Sequence, residues 1–256
     1  MFPVLFHIGS FPVRSFGILL IIGFFVGMVI AKRRAPRYGI DPNRLWDLAI
    51  LLIVFGVIGA RVVYIAQEWS YYSQHRNELF SLKFDGLTSF GGLLFGLIVM
   101  VLWCKRTKTS FLAAMDVFAV PLLVAHAIGR VGCLANGCCY GGPTNLPWGV
   151  HFHDVLGVHH PAQIYDSLMS LVGVALILLA ERRHLAPGQS MSLMFLFYGL
   201  SRFIYEFWRA GSSSTYWGSL PITEAQAMAG TLVLVGAVMF VIFGRRRIAP
   251  QEAPAA

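Results

Sequence analysis

The chain has 256 residues, of which 57% are hydrophobic and only 12% are charged, and its mean hydropathy is +0.67. Because a soluble domain carries about a quarter charged residues, this composition excludes an ordinary globular domain, and 20 Phe, 9 Tyr and 6 Trp exclude a disordered chain. The net charge of +8 would suggest a nucleic-acid-binding protein only if the chain were soluble, so the positions of the basic residues have to be considered.

Seven segments come close to the roughly 20 apolar residues that a membrane-spanning helix needs. In chain order they are Phe16–Ala31, Asp47–Ala66, Thr88–Cys104, Leu112–Ile128, Ile164–Ala180, Met191–Trp208 and Ala225–Phe243. None of them shows the strict alternation of a barrel strand. We therefore predict an all-α polytopic membrane protein with seven transmembrane helices, which form a single transmembrane domain over residues 1–256.

Basic residues follow every second segment, and the loops between these clusters carry little basic charge. The clusters are Lys32, Arg33, Arg34, Arg37 and Arg44; Lys105, Arg106 and Lys108; Arg182 and Arg183; Arg245, Arg246 and Arg247. By the positive-inside rule, the N-terminus is predicted to be external and the C-terminus cytoplasmic. The positive charge then reflects topology, and no nucleic-acid partner is predicted. The polar stretch 131–162 is predicted to be an external functional loop, and residues 248–256 a short disordered tail.

Ionisable side chains inside apolar segments cost about 2.5–3.5 kcal/mol on insertion scales and by default indicate function. A distinct set of such residues lies in or at the ends of the apolar segments of this chain: Arg61, Asp116, His126, Arg130, Asp166, Arg202 and Glu206. His126 and Arg130 are four residues apart and share a helix face, as do Tyr198, Arg202 and Glu206, with Arg209 one turn further on. A structural alternative is that Arg202 and Glu206 form an ion pair that joins helices. Asp116 lies deeper and is predicted to be a buried structural partner.

An excess of arginine near the external membrane face predicts a site for an anionic lipid headgroup. The guanidinium group is planar, always charged and matches phosphate bidentately. A non-enzymatic transporter of lipid or solute with an arginine-lined site is the alternative. Transporters usually show repeated halves or broken helices, and neither is evident in this sequence.

Two further motifs contain glycine or cysteine. Gly91 and Gly92 open the third segment, where they allow either close helix packing or an anion site at the helix start. From Gly129 to Gly141 the sequence reads GRVGCLANGCCYG, which predicts a shaped backbone turn at the end of a span. Its cysteines, with nearby histidines, could bind zinc, although C-x4-C-C is not an established ligand spacing and a disulfide is at least as plausible on an external face. Cys104 is predicted to be a small buried hydrophobic residue.

The chain resembles the prolipoprotein diacylglyceryl transferase family over nearly its whole length. The family signature G-R-x-G-N-F-x-N-G-E-x-x-G is matched at Arg130, Gly132, Asn136, Gly137 and Gly141. A His-Gly-Gly motif aligns with Phe90-Gly91-Gly92, and a His-Pro-Ser-Gln-x-Tyr-Glu motif aligns with residues 160–166. The last motif, Tyr-Gly-x-x-Arg-Phe-x-x-Glu-x-x-Arg, is matched at Tyr198, Gly199, Arg202, Phe203, Glu206 and Arg209.

The chain also departs from the family motifs at four positions, several of which are candidates for handling protons. Cys133 replaces the first Asn of the signature and Cys138 replaces its Glu. Phe90 stands where the family has a functional His, and Phe16 where it has a functional Tyr. The departures leave open an active transferase or a paralogue with an altered substrate. His126 is a candidate for the missing imidazole.

The resemblance implies transfer of the diacylglyceryl group of phosphatidylglycerol to the lipobox cysteine of a prolipoprotein, with release of glycerol phosphate. It implies catalytic roles for Arg130, Arg202, Tyr198, Glu206 and Asn136, to which we add His126. The expected phosphatidylglycerol-binding residues are Arg130, Gly91, Gly92, Gly141, Arg209 and Arg61. The nucleophile belongs to the substrate, and neither a cofactor nor a metal is expected. The expected location is the bacterial plasma (inner) membrane, with the active site toward the periplasmic or external face.

Overall fold

The computed structural model describes residues 2–9, 11–75, 77, 88–153, 155–209 and 222–245, and most of them are helical. In chain order the elements are β1 (Val4–Ile8), β2 (Phe11–Arg14), α1 (Ser15–Arg34), α2 (Arg44–Gln67), α3 (Trp69–Tyr72), α4 (Ser89–Thr107), α5 (Phe111–Asn136), β3 (Val150–His151), β4 (Val158–His159), α6 (Ala162–Glu181), α7 (Gln189–Tyr205) and α8 (Glu224–Arg245). A short 3-10 helix, Ala35–Tyr38, follows α1. The predicted tail 248–256 and the basic residues Arg246 and Arg247 lie outside the described residues.

Within the described residues, six helices are long and apolar enough to cross a membrane, namely α1 with the following 3-10 turn, α2, α4, α5, α6 and α8. The prediction of a helical polytopic membrane protein is confirmed at this level. Helix α7 has 17 residues, which is about the lower limit for a span. The seventh span and the orientation of the termini stay predictions.

Two short antiparallel hairpins, β1–β2 and β3–β4, accompany the helices and were not predicted from the apolar pattern. The first turns at Gly9, whose φ of +62° is a left-handed conformation that glycine adopts without strain. The second lies inside the polar stretch that we predicted to be a loop. This stretch is therefore partly ordered by backbone pairing, and an isolated bridge between Pro143 and His159 extends the pairing.

Helix α5 is longer than predicted, because it continues through the first half of the signature to Asn136. The interpretation of residues 129–136 as a backbone turn was wrong. Gly132 is helical, and a Cβ atom there would lie 3.3 Å from Cδ2 of Phe16, so its small size serves close packing on α1. The helix ends at Gly137 (φ +78°), where the amide of Cys138 donates to the carbonyl of Cys133. This is the Schellman arrangement of a helix C-terminus.

The chain divides into two compact units, residues 32–114 and residues 1–31 with 115–256. In the first unit α2 packs on α4 through facing glycines. A Cβ atom on Gly59 would lie 2.6 Å from the carbonyl oxygen of Gly91, and a Cβ atom on Gly91 would lie 2.8 Å from Cβ of Val63. The absence of side chains here lets the two helix backbones approach each other closely.

The second unit has an apolar core built from three helices. Its buried residues are Ala119, Val120 and Leu123 from α5, Ile177 from α6, and Met191 and Met194 from α7. Helix α7 also packs closely on α8, where a Cβ atom on Gly236 would lie 2.7 Å from the backbone nitrogen of Leu196. This packing fixes α7 against α5 and α6, which carry the residues described next.

The prediction that Asp116 is a buried structural partner is confirmed. Its carboxylate accepts hydrogen bonds from the backbone amides of Gly188 at 2.6 Å and Met191 at 2.8 Å. These amides lie at the start of α7, where N–H groups have no partner within the helix. A negative charge is favourable at this end of the helix dipole. Asp116 therefore caps α7 from within α5.

Candidate functional site

Arg130 on α5 and Asp166 on α6 form the central ion pair of the second unit. Arg130 Nε lies 2.6 Å from Asp166 Oδ2, and His126 Nε2 lies 3.3 Å from the same oxygen. The other carboxylate oxygen accepts a hydrogen bond from the hydroxyl of Ser201 on α7 at 3.0 Å. Asp166 is only 1% exposed, so this carboxylate joins three helices and fixes the orientation of the Arg130 guanidinium group.

A second group of charges lies at the end of α7. Arg202 Nη1 lies 2.5 Å from Glu206 Oε2, and Arg209 Nη1 lies 3.6 Å from the same oxygen. Glu206 is buried, whereas the two arginines are partly exposed. The ion pair that we considered from the sequence is therefore present, but its two residues lie four apart at the end of α7, so it does not join two helices. It also orients both guanidinium groups.

Tyr205 connects the two groups of charges. The guanidinium carbon of Arg130 lies 4.9 Å from the centre of its ring, and that of Arg202 lies 5.1 Å from it. Both distances are in the range of cation–π interactions. The two guanidinium groups, which come from different helices, thus lie within about 10 Å of each other around one buried ring. Convergence of Arg130 and Arg202 is what the sequence analysis expected.

Sequence reasoning missed Tyr205 and did not place Asp166 in the site. Asp166 carried a usable signal, because it is ionisable and lies in an apolar segment within a family motif. Tyr205 carried a weaker one: it lies three residues after Arg202, which puts both on one helix face. An aromatic residue in an apolar helix usually packs in the core, so its contact with two arginines could not be separated from packing.

The remaining predicted residues of α5 and α7 have specific neighbours. The ring of Tyr198 makes an edge-to-face contact with His126, with 5.2 Å between ring centres. Asn136, the last residue of α5, hydrogen-bonds through its side chain to Cys138. His126 and Tyr198 thus border the Arg130–Asp166 pair. Asn136 instead contacts the turn after α5 that contains Cys138 and Cys139, which is called the cysteine turn below.

Gly141 and Arg209 are joined through their backbones in an isolated antiparallel bridge. The amide of Gly141 donates to the carbonyl of His160, and that of Gly142 donates to the carbonyl of Trp208, each at 2.8 Å. A Cβ atom on Gly141 would lie 2.6 Å from both His160 Cβ and the Trp208 oxygen. Gly141 thus helps to attach the end of the family signature to the end of α7. Its binding of lipid stays a prediction.

Three predicted lipid-binding residues lie in the other unit, residues 32–114. Arg61 on α2 places its guanidinium carbon 5.9 Å from the ring centre of Tyr64 and 5.5 Å from that of Tyr72. Gly91 packs against the backbone of α2 as described above, and a Cβ atom on Gly92 would lie 3.4 Å from the carbonyl oxygen of Gly56. Helix packing accounts for both glycines, and lipid binding by all three residues stays a prediction. Phe90 is 66% exposed at the start of α4.

Three cysteines of the signature lie together. The sulfur atoms of Cys133, Cys138 and Cys139 all lie within 4.8 Å of one another, and none forms a disulfide. The hydrogen bond with Cys133, followed by the one with Cys138 and the charges of Arg130 and Arg209, lowers the pKa of the Cys139 thiol to about 5. Among the described residues, these three are the group of cysteine, histidine and acidic side chains that could hold a metal ion.

The cysteine turn is also held in place by side chains from α6 and α7. Gln163 donates through Nε2 to the carbonyl oxygen of Cys138 at 2.6 Å, and the hydroxyl of Tyr205 donates to the carbonyl oxygen of Cys139 at 3.1 Å. Tyr205 therefore contacts both arginines with its ring and the cysteine turn with its hydroxyl. The cysteine turn and the arginine pair form one continuous set of contacts.

The comparisons with known proteins cover nearly all of the chain. The family model of prolipoprotein diacylglyceryl transferase matches residues 3–242. The chain is 30% identical over 250 residues to the phosphatidylglycerol–prolipoprotein diacylglyceryl transferase of Finegoldia magna. The aligned region covers 97% of this chain and 98% of the relative. The chain is 32% identical over 253 residues to the protein of the same name from Geobacter sulfurreducens, with 97% of each covered.

Proposed function

We infer the function from one premise: the chain belongs to the prolipoprotein diacylglyceryl transferase family. It transfers the diacylglyceryl group of phosphatidylglycerol to the lipobox cysteine thiol of prolipoproteins. The products are a thioether-linked lipoprotein precursor and glycerol phosphate. The observation that carries this proposal is the convergence of Arg130 and Arg202 on the ring of Tyr205.

The arginines bind the phosphate of the lipid. Arg130 contacts Asp166 and His126 through Nε, which leaves its two terminal nitrogens to bind phosphate oxygens. Three guanidinium groups (Arg130, Arg202 and Arg209) contact two carboxylates in this part of the described chain, so the site carries excess positive charge. A departing phosphate monoester carries more charge than the diester does. Guanidinium groups held in place therefore stabilise the transition state more than the bound lipid.

The carboxylates and the aromatic rings act as positioning groups. Asp166 fixes Arg130, and Glu206 fixes Arg202 and Arg209. Because the arginines are already oriented before the lipid binds, little reorganisation is needed as the bond to phosphate breaks. Tyr198 limits the position of His126. Gly141 joins the signature loop to Arg209 and thereby shapes the edge of the site.

The architecture consistent with this activity has seven spans in a single transmembrane domain. Helix α7 is the sixth of these spans, the N-terminus is external and the C-terminus cytoplasmic. The alternating basic loops support this orientation. It puts the ends of α5 and α7 that carry Arg130 and Arg202 on the external side of the bacterial plasma membrane. Lipid binding by Arg61, Gly91 and Gly92 of the 32–114 unit is part of the same proposal.

The direct test is transfer in a purified system. Full-length protein in phosphatidylglycerol micelles is incubated with a lipobox peptide, and mass spectrometry measures a diacylglyceryl adduct on the cysteine. A peptide with serine in place of that cysteine is the matched control. We expect the adduct and an equal amount of glycerol phosphate with the cysteine peptide, and neither product with the serine peptide. Lipid binding or lipid translocation without any adduct would instead support the non-enzymatic alternative.

A further inference from the structure

The three sulfur atoms of the signature have the spacing of a metal-binding group. They all lie within 4.8 Å of one another, and the sulfurs of Cys138 and Cys139 are 3.5 Å apart. A tetrahedral ion with metal–sulfur bonds of about 2.3 Å holds its sulfur ligands about 3.8 Å apart. Small side-chain movements are therefore enough to bring all three sulfurs to bonding distance of one ion.

The backbone explains how two adjacent cysteines can share one ion. Side chains of neighbouring residues in an extended chain point in opposite directions, which normally prevents this. Here Cys139 has a φ of +65°, a left-handed conformation that is uncommon for residues other than glycine. The preceding helix end holds Cys138 next to Cys133 through the bond between the Cys138 amide and the Cys133 carbonyl. The C-x4-C-C spacing is not an established ligand pattern in sequence, but this backbone conformation makes it suitable for binding one metal ion.

Gln163 is a second and independent observation at this turn. It is 0% exposed, and its Nε2 donates to the carbonyl of Cys138. Its Oε1 is buried and accepts no hydrogen bond from the described residues. Buried side-chain oxygens nearly always have a donor. A water molecule bound in the open position of a metal ion at these cysteines is a donor of the kind that this oxygen lacks.

The surrounding charge favours thiolate ligands. Arg130 lies close to the cysteines, because Tyr205 contacts its guanidinium group with the ring and the carbonyl oxygen of Cys139 with the hydroxyl. Three thiolates and one divalent cation carry a net charge of −1, which the excess positive charge of the arginine groups complements. Thiolate ligands select zinc, copper(I) or iron–sulfur clusters. Zinc is redox-inert, and its catalytic sites have three protein ligands with a fourth position open to a substrate.

We propose that Cys133, Cys138 and Cys139 bind one Zn²⁺ ion whose fourth position takes the lipobox thiol of the prolipoprotein. The proposal rests on the proposed function, and it adds a metal where the sequence analysis expected none. It also accounts for two departures from the family. Cys133 and Cys138 stand where the resemblance aligns the Asn and the Glu of the family signature, and zinc binding gives both substituted positions a role. A zinc-bound thiol is deprotonated by the metal itself.

The reaction balances with these components. The S–H bond of the substrate thiol breaks as its sulfur binds zinc, and the thiolate is the nucleophile. The sulfur then forms a bond to the terminal glycerol carbon of the diacylglyceryl group. The bond between that carbon and the phosphate oxygen breaks, and its electron pair stays on the oxygen next to the arginines. The thiol proton leaves with the glycerol phosphate, so no oxidant or further reactant is needed.

Metal binding is tested on the purified full-length protein without lipid or peptide. We expect one Zn²⁺ per chain, and replacing any one of Cys133, Cys138 or Cys139 by Ala should lower the affinity by at least about 10- to 100-fold, because even indirect ligand contacts have effects of this size. Cys104→Ala is the matched control and should bind zinc normally. Zinc binding that none of the three replacements weakens, or a disulfide among these cysteines in the protein as isolated, would overturn the proposal.

Activation of the thiol is tested with Co²⁺ in place of zinc. Adding the cysteine lipobox peptide should increase the cobalt–thiolate absorption, whereas the serine peptide should leave it unchanged. Metal-free protein should lose transfer and regain it with Zn²⁺. Full transfer by metal-free protein would refute the zinc role and leave the transferase function standing. A spectral change with the cysteine peptide but no adduct under any condition would support the metal site and refute the transferase function.

Discussion

The hydroxyl of Tyr205 donates a hydrogen bond to the carbonyl oxygen of Cys139 across 3.1 Å, while the ring of the same residue contacts Arg130 and Arg202. Tyr205 is 1% exposed, so it is held on all sides. One side chain thus contacts both the cysteine turn and the two guanidinium groups.

Replacing Tyr205 separates the two roles of this side chain. Tyr205→Phe keeps the ring and should lower transfer only moderately, by the loss of one neutral hydrogen bond of about 1 kcal/mol. Tyr205→Leu removes the cation–π contacts with two arginines and should reduce kcat/KM by a further factor of about ten. Transfer rates at equal amounts of folded protein provide the comparison. Equal rates for the two variants would show that the ring contributes nothing beyond packing.

Arginine-to-lysine replacements test the phosphate site. Arg130→Lys and Arg202→Lys keep the charge but lose the bidentate geometry, so each should lower kcat by about 10²–10³, the usual cost of losing one preorganised donor. Arg209→Lys should have a smaller effect, because Arg209 is more exposed and lies 3.6 Å from Glu206. Lipid transfer to the peptide is measured at equal membrane abundance. Near-normal transfer by both Arg130→Lys and Arg202→Lys would show that these arginines are structural.

Asp166 and Asp116 form a matched pair of buried carboxylates in different surroundings. Asp166→Asn leaves Arg130 without its ionic partner and should reduce both stability, by about 3 kcal/mol or more, and transfer. Asp116→Asn weakens the cap of α7 and should lower the melting temperature, while kcat/KM of the folded fraction stays near normal. Thermal unfolding in detergent and transfer assays are run on the same samples. A loss of kcat/KM in folded Asp116→Asn would contradict the purely structural role of Asp116.

Gly91 and Gly92 distinguish helix packing from lipid binding. Gly91→Ala puts a methyl group against the backbone of Gly59 and should destabilise the 32–114 unit strongly. Gly92→Ala meets the carbonyl of Gly56 at only 3.4 Å and should be tolerated. Unfolding temperature and KM for phosphatidylglycerol are measured for both variants. A raised KM in stable Gly92→Ala would support lipid contact at this position, and an unchanged KM would assign Gly92 to packing.

Topology is checked with reporter fusions at the loops. Fusions after Arg37, Lys108 and Arg183 should report a cytoplasmic location, and a fusion near Thr144 an external one, because the basic clusters stay inside. The result at Arg183 and Thr144 also tests α6 as a span. An external signal at Lys108 would remove α4 from the set of spans and put Gly91 on the wrong side of the membrane.

The sequence was sufficient for the class of fold, because long apolar segments and alternating basic loops arise directly from the cost of polar groups in lipid. It also identified Asp116 as a buried structural partner and Asp166 as one of the ionisable residues in apolar segments. It could not identify those partners, since Asp116 bonds to an amide 72 residues away. The end of α5 was misplaced because glycine usually interrupts a helix, whereas Gly132 serves contact with Phe16 and Leu19.

The cysteine cluster could not have been predicted from spacing alone. Two adjacent cysteines share one side of the chain only because of the left-handed φ at Cys139, and sequence patterns do not indicate such a value for a residue other than glycine. Tyr205 escaped notice for a different reason. Its hydroxyl donates to a backbone carbonyl, and its ring packs against two guanidinium groups. Neither contact can be recognised from the position of a tyrosine in an apolar segment.

The bond between Asp116 and the start of α7 also has a consequence for biosynthesis. Free amides at the beginning of a helix are costly in lipid, and the 17 residues of α7 are about the lower limit for a span. The ribosome completes α5 before α7, so the acceptor carboxylate is already in the membrane when these amides emerge. In the proposed seven-span architecture we therefore expect the insertion of α7 to be assisted by the earlier helix α5 through Asp116.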